Sequence, residues 1–165
     1  MGSFEEAAAF GEMAVLATKW EGTHHALELA KGKQKLKGKV VIDVTNPLDF
    51  TKGMPPTLAV GGNDSGGETV QRWLPEAKVV KAFNIIGNQY MYKPDFPGGP
   101  PDMFIGGNDE TAKNMVSGLL KSFGWSVIDL GNIQVSRYLE PLAMAWITYG
   151  ARTNSWSHAF KLLRK

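Results

Sequence analysis

Apolar positions along this chain switch between two periods, and the switching marks out its elements. Val40-Val41-Ile42-Asp43-Val44 is a run of mostly β-branched residues broken by a single acid, the pattern of a strand buried on both faces. Thr45-Asn46-Pro47 stops it, because proline has no amide hydrogen and restricts the residue before it. Similar runs predict strands at Met13 to Ala17, Lys78 to Phe83, Met103 to Ile105 and Trp125 to Leu130. Between them the spacing turns helical. Ser3 and Glu6 fit a capping box before a short helix that buries Phe4, Ala7 and Ala8. Thr23 is placed to cap a helix reaching Ala30, with Ala26, Leu27 and Ala30 inward, and Val70, Trp73 and Leu74 share one face of another. Over Asp109 to Phe123, the positions of Ala112, Met115, Val116, Leu119, Leu120 and Phe123 give a strongly amphipathic helix. A long helix is predicted from near Asn132, with Val135, Tyr138, Leu139, Leu142 and Trp146 inward and a kink at Pro141. A short tail helix is expected over Trp156 to Leu163.

The connections are polar and long. Lys31 to Lys39, with a lysine at every second position, reads as a solvated turn; it lacks the spacing and the Ser or Thr of a phosphate-binding loop. Gly61-Gly62-Asn63-Asp64 and Gly106-Gly107-Asn108-Asp109 both read as helix-capping segments rather than a duplication. The Gly66-Gly67 helix start can attract an anion or be a flexible loop, the plainer reading. Loops around Pro55-Pro56 and from Pro94 to Pro101 are long enough to suggest lids or mobile connections. Five strands separated by helices predict an α/β fold, a doubly wound, mainly parallel Rossmann-like sheet with a long C-terminal helix, in a single domain over residues 1–165. Ligands of such sheets sit beyond the carboxyl ends of the strands. The first three strands end in Thr18-Lys19-Trp20, Thr45-Asn46-Pro47 and Phe83-Asn84; as neighbours they would line one crevice suited to a dinucleotide or another flat polar ligand.

Composition narrows the chemistry. Hydrophobic residues make up 43% and charged residues 21%, ordinary for a soluble globular domain, and a formal charge of +2 is too small to argue for nucleic acid. The absence of cysteine excludes disulfides, thiolate metal sites and a cysteine nucleophile. No apolar run approaches the ~20 residues of a membrane span, and the first residues lack a secretory pattern, so a soluble cytoplasmic protein is expected. His24 and His25 point about 100° apart on a helix, which favours an exposed surface over a metal site.

Six segments occur in an order that resembles a known family. They are Ala17-Thr18-Lys19-Trp20-Glu21-Gly22, Ile42-Asp43-Val44-Thr45-Asn46-Pro47-Leu48, Val80-Lys81-Ala82-Phe83-Asn84, Met103-Phe104-Ile105-Gly106-Gly107-Asn108-Asp109, Phe123-Gly124-Trp125 and Arg137-Tyr138-Leu139-Glu140-Pro141-Leu142-Ala143-Met144. Together they resemble the NADPH-dependent F420 reductases, and especially their bacterial relatives. The resemblance implies hydride transfer between NADPH and coenzyme F420 or a similar flat acceptor, which requires two rings held face to face with water excluded. It implies that Thr18, Lys19, Trp20, Thr45, Asn46, Pro47, Phe83 and Asn84 serve the nicotinamide cofactor. It implies that Ile85, Ile86, Tyr138 and Leu139 border the second substrate, and that the Arg137 to Met144 helix forms the far wall and a dimer contact. The family often has proline where Lys19 stands.

One family feature is missing from these 165 residues. No Gly-x-Gly-x-x-Gly turn occurs, although such a turn normally presents backbone amides to the pyrophosphate. The expectation is a chain without the N-terminal dinucleotide-binding unit, whose Met13 to Ala17 strand has an open edge that invites self-association or a homo-oligomer. Plainer roles stand beside the implied ones. Asn46-Pro47 also reads as a strand terminator, Trp20 as a packing aromatic, Asn84 as a helix cap, and Arg137 with Glu140 as a pair across one helical turn. A catalytically silent remnant acting in assembly or partner binding is the alternative function.

Overall fold

The structure, a computed structural model, describes residues 2–165. Its elements are α1 (Phe4–Phe10), β1 (Met13–Leu16), α2 (Trp20–Leu29), α3 (Gly32–Lys35), β2 (Val40–Asp43), β3 (Leu48–Asp49), β4 (Thr57–Leu58), α4 (Gly66–Trp73), β5 (Lys78–Lys81), β6 (Asp102–Gly107), α5 (Glu110–Ser122), β7 (Ser126–Asp129) and α6 (Ser136–Thr153). Among the described residues five strands form one sheet in the order β1-β2-β5-β6-β7, and β3 pairs with β4 as a separate two-stranded ribbon.

β1, β2 and β5 run parallel, with Val15 opposite Ile42 and Ile42 opposite Val80. β6 runs antiparallel to β5, and β7 is parallel to β6. The direction changes because residues 82–101 carry no crossover helix, only a single 3₁₀ turn at Asn88–Tyr90, so β6 starts where β5 stops and runs back. The expectation of a mainly parallel, doubly wound sheet is met. The alternation within β2 and β5 explains their continuous apolar character. Val41 and Val79 face Leu16, Leu27, Leu36, Val70 and Leu74 on one side, while Ile42 and Val80 face Met103, Val116, Leu120 and Trp125 on the other.

The caps follow local chemistry. Ser3 and Glu6 form the expected capping box, and the Asp109 side chain accepts from the Ala112 amide at 2.8 Å. Lys39 closes the other end of α1, donating to the carbonyls of Ala8 at 2.8 Å and Gly11 at 2.7 Å.

Several expectations are corrected. Helix α2 starts at Trp20 with Lys19 as its N-cap, and Thr23 is buried inside the first turn rather than capping it. Ser65, not Asn63 or Asp64, caps α4; Asp64 instead pairs with Arg72 at 2.7 Å. The Lys31 to Lys39 segment contains the short helix α3 and buries Gly32. Residues 156–163 form no helix, because their polar backbone groups bond to β6 instead, as with the Asp102 amide to the Phe160 carbonyl at 3.0 Å. Tyr138 points outward, 73% exposed, since α6 turns Leu139, Glu140 and Ala143 to the core. No helix among the described residues is long and apolar enough to cross a membrane.

Candidate functional site

The strand ends of β1 and β2 build a chemically mixed cleft. Its volume is about 680 Å³, and its lining includes Ala17, Thr18, Lys19, Trp20, Val44, Thr45, Asn46, Leu48, Phe50, Asn88 and Met91. The polar residues come from the two strand ends. The apolar wall comes from Trp20, from the β3 region and from the 3₁₀ turn after β5. A cleft of this size holds one or two flat rings.

Each polar residue is fixed by its neighbours. Thr23 donates to the Lys19 carbonyl at 2.9 Å and lies 2.9 Å from the Thr18 hydroxyl, which must therefore donate to Thr23. Trp20 stacks on Trp73, with ring centroids 5.5 Å apart and 24° between planes. Asn46 donates its amide to the Asn84 carbonyl at 2.7 Å and accepts from the Asn84 side chain at 3.1 Å. Asn84 also donates to the Leu139 carbonyl at 2.9 Å. Asn46 thereby keeps one amide hydrogen and further acceptor capacity for a ligand.

Beneath this floor lies a fully buried ionic centre. Lys81 sits 3.0 Å from Asp43 Oδ2 and 2.8 Å from Glu140 Oε1, and donates to the Thr45 carbonyl at 2.6 Å. All three side chains are at most 1% exposed. Asp43 Oδ1 accepts from the Thr45 amide at 2.9 Å and the Thr45 hydroxyl at 2.7 Å. Glu140 accepts from the Gly66 and Gly67 amides at 2.8 and 2.9 Å. Two carboxylates thus face one ammonium, and the N-terminus of α4 balances the surplus negative charge. Burial works against a charged Lys81, but the adjacent Asp43 and Glu140 carboxylates outweigh it and raise its pKa above the ordinary lysine value.

The ions shape the cleft by fixing backbone. Lys81 and Asp43 hold both ends of Thr45, so the turn into Asn46 and Pro47 has one conformation. Gly66 is closed in by Pro47, Trp20 and Glu140, which would have to give way slightly to admit even a methyl group.

Of the implied site residues, the structure brings Thr18, Lys19, Trp20, Thr45 and Asn46 to the cleft. Pro47 packs against Gly66, and Asn84 lies 5% exposed behind Asn46. Phe83 turns the chain out of β5 at a φ of 63° and packs edge-on against Trp125. Ile85, Ile86 and Leu139 are interior, and Tyr138 is on the surface. Arg137 and Glu140 do not pair: Arg137 binds Glu68 at 2.6 Å, and Glu140 is the buried carboxylate. His158 stacks on Trp146 at 4.6 Å.

Sequence reasoning missed Phe50, Asn88 and Met91, which come from irregular loops without periodicity. It also missed the roles of Asp43, Lys81 and Glu140. The signal for two of them was present: a charge inside a strand buried on both faces requires a partner.

Comparison with known proteins then places the fold. Residues 1–47 match the family model for NADP oxidoreductases dependent on coenzyme F420. A solved structure from Arthrobacter sp. FB24, a candidate F420-dependent NADP reductase, has 43% identity and a TM-score of 0.93, covering 98% of this chain and 74% of that one. The chain belongs to the F420-dependent NADP oxidoreductase family. The F420-dependent NADP reductase of Methanocaldococcus jannaschii is 34% identical over 140 residues, spanning 84% of this chain and 61% of that protein. The metalloreductase STEAP3 of Rattus norvegicus is 27% identical over 144 residues, spanning 85% of this chain and 26% of that protein. The chain therefore spans less than two thirds of the length of these two reductases. The family's oxidoreductase character agrees with a cleft at strand ends.

Proposed function

We propose that this chain serves hydride transfer between NADPH and coenzyme F420 or a similar flat redox acceptor, supplying the wall on which the nicotinamide end rests. The supporting observation is the convergence of Thr18, Lys19, Trp20, Thr45 and Asn46 on one cleft. The residues present fit such a cofactor: an aromatic face, a fixed carboxamide, hydroxyls and an exposed lysine match a flat ring with a carboxamide and a phosphorylated ribose. When bound, these cofactors supply the hydride donor and acceptor, so the protein's task is orientation and exclusion of water.

Asn46 orients through its spare amide hydrogen, because Asn84 holds the other half of its carboxamide. Trp20 offers a flat surface held in place by Trp73. Leu48, Phe50 and Met91 keep water from the reacting region, and Lys19 attracts negative charge at the mouth. Pro47 and Asn84 support these groups from behind, while Phe83 turns the chain out of β5 just before Asn84. We further propose that the 165-residue chain self-associates through the open edge of β1, where Val15 is 61% exposed.

The test is a titration with NADPH, followed by nicotinamide fluorescence and tryptophan quenching. Saturation in the micromolar range supports the reading, with an affinity loss of about tenfold expected for Asn46→Ala. No binding up to about millimolar NADPH overturns autonomous cofactor binding by this chain.

A further inference from the structure

After α6 the chain stays on the body of the molecule. Asn154 turns it through a left-handed conformation, and residues 155–162 lie against α6 and the start of β6. Trp146 donates its indole N–H to the His158 carbonyl at 2.8 Å, while His158 Nε2 lies 3.0 Å from the Trp146 carbonyl. A carbonyl only accepts, so His158 carries its proton on Nε2. The Leu162 amide donates to Asp102 at 2.6 Å, and Lys161 donates to the Pro100 carbonyl at 2.7 Å. The segment is a strap with polar anchors spread along it.

The strap touches the cleft wall from behind. Tyr90 donates its hydroxyl to Ser157 at 2.8 Å, across 67 residues of sequence. The position a side chain on Gly87 would take lies 3.5 Å from the Trp146 ring and 3.8 Å from the Trp156 carbonyl. Gly87 precedes the turn Asn88–Tyr90, and Asn88 and Met91 line the cleft. That turn has weak internal support, with Tyr90 N to Gly87 O at 2.9 Å and Met91 N to Asn88 O at 3.3 Å. A single 3₁₀ turn does not hold its own position. Its position comes from outside: from Ser157, from Phe96 tilted against the Tyr90 ring at 4.9 Å, and from Trp125, whose indole N–H donates to the Met91 carbonyl at 2.9 Å.

We propose that the strap positions the Asn88–Met91 wall of the strand-end cleft, with Tyr90 and Ser157 as the positioning pair. The strap thereby sets how tightly the cleft closes on a flat ligand; this second statement rests on the proposed function, the first does not. Neither residue lines the cleft, so both act through Asn88 and Met91.

The test uses the full chain and its Tyr90→Phe, Ser157→Ala and double variants. Tyr90→Phe keeps the ring on Phe96 and removes only the hydroxyl. Amide hydrogen exchange at residues 88–93 should rise about fivefold in each single variant, with no further rise in the double variant. Exchange at Val41 and Val79 should stay unchanged. Affinity for NADPH or F420, whichever the unmodified chain binds, should fall several-fold while that sheet exchange is constant. Unchanged exchange at 88–93, additive single effects, or faster exchange throughout the sheet overturns the positioning role. Faster wall exchange with unaltered affinity for a ligand that does bind also overturns it, leaving the strap purely structural. An unmodified chain that binds neither cofactor defeats the proposed function, and the exchange data still decide whether the strap positions the wall.

Discussion

Lys81 has no exposed surface, and its three ammonium hydrogens meet Asp43, Glu140 and the Thr45 carbonyl. Removing it leaves two buried carboxylates with only backbone donors and Thr45 to balance them. Lys81→Met should therefore cost about 3–5 kcal/mol in urea unfolding. Glu140→Gln keeps the shape, leaves Lys81 on Asp43, and should cost less, about 1–3 kcal/mol. The pH dependence follows from the raised Lys81 pKa. The native state binds this proton more tightly than the unfolded chain does, so its stabilising contribution is complete below about pH 10 and is lost as pH rises through the native value. Unfolding followed between pH 9 and pH 12, with Lys81→Met as control, should show an alkaline loss that the variant lacks. Gly67 offers a second residue-level test, because a Cβ there would overlap Ser136 Oγ. Gly67→Ala should destabilise by about 1–3 kcal/mol, and Ser136→Gly should recover part of it, read as a double-mutant cycle in thermal unfolding.

At the scale of elements, α4 and α6 are clamped at two points. Glu140 of α6 occupies the N-terminus of α4, where the Gly66 and Gly67 amides need an anion. Arg137, one turn earlier in α6, holds Glu68 with Nε at 2.8 Å and Nη2 at 2.6 Å. That guanidinium, helped by Ser65 and resisted by burial, keeps the Glu68 carboxyl below the usual glutamate range. The unfolded chain binds the Glu68 proton more tightly, so this contribution is present above about pH 4 and is lost as pH falls through the lowered native value. Arg137→Ala should remove it, at a cost of about 1–2 kcal/mol near neutral pH and less in acid. Sequence spacing paired Arg137 with Glu140, since residues three apart share a helix face. The pairing fails because each residue finds a stronger partner outside its own helix: Arg137 binds the Glu68 side chain, while Glu140 accepts from the Gly66 and Gly67 amides and faces Lys81.

For the whole molecule, the order β1-β2-β5 decides that three polar strand ends lie side by side. The same order leaves β1 at the edge of the described sheet. Val15 is exposed while its partner Ile42 is fully buried. An apolar residue on an unpaired edge favours strand pairing with another copy. Val15→Lys should lower the sedimentation coefficient of a self-associated sample toward that of a monomer; a sample already monomeric before substitution would count against the edge contact. The strand-end segments were legible because proline, asparagine and threonine after a β-branched run mark where a buried strand stops. Phe50, Asn88 and Met91 were not legible, because loops reach the cleft by their tertiary path and carry no repeat that shows it.

The sequence by itself determined the elements that rest on local chemistry: the doubly buried strands, the capping box at Ser3, the Asp109 cap, the amphipathic α5 and the polar ends where function gathers. Those features depend on neighbours within one or two turns of chain, so a single sequence contains them. Only the tertiary structure decided that Asp43, Lys81 and Glu140 form one ionic centre, that Asn84 supports Asn46, and that residues 156–163 form a strap rather than a helix. Each of those outcomes depends on burial and on partners 38 to 74 residues apart. An isolated segment with helical spacing does not encode whether its carbonyls and amides will find a strand edge to bond instead.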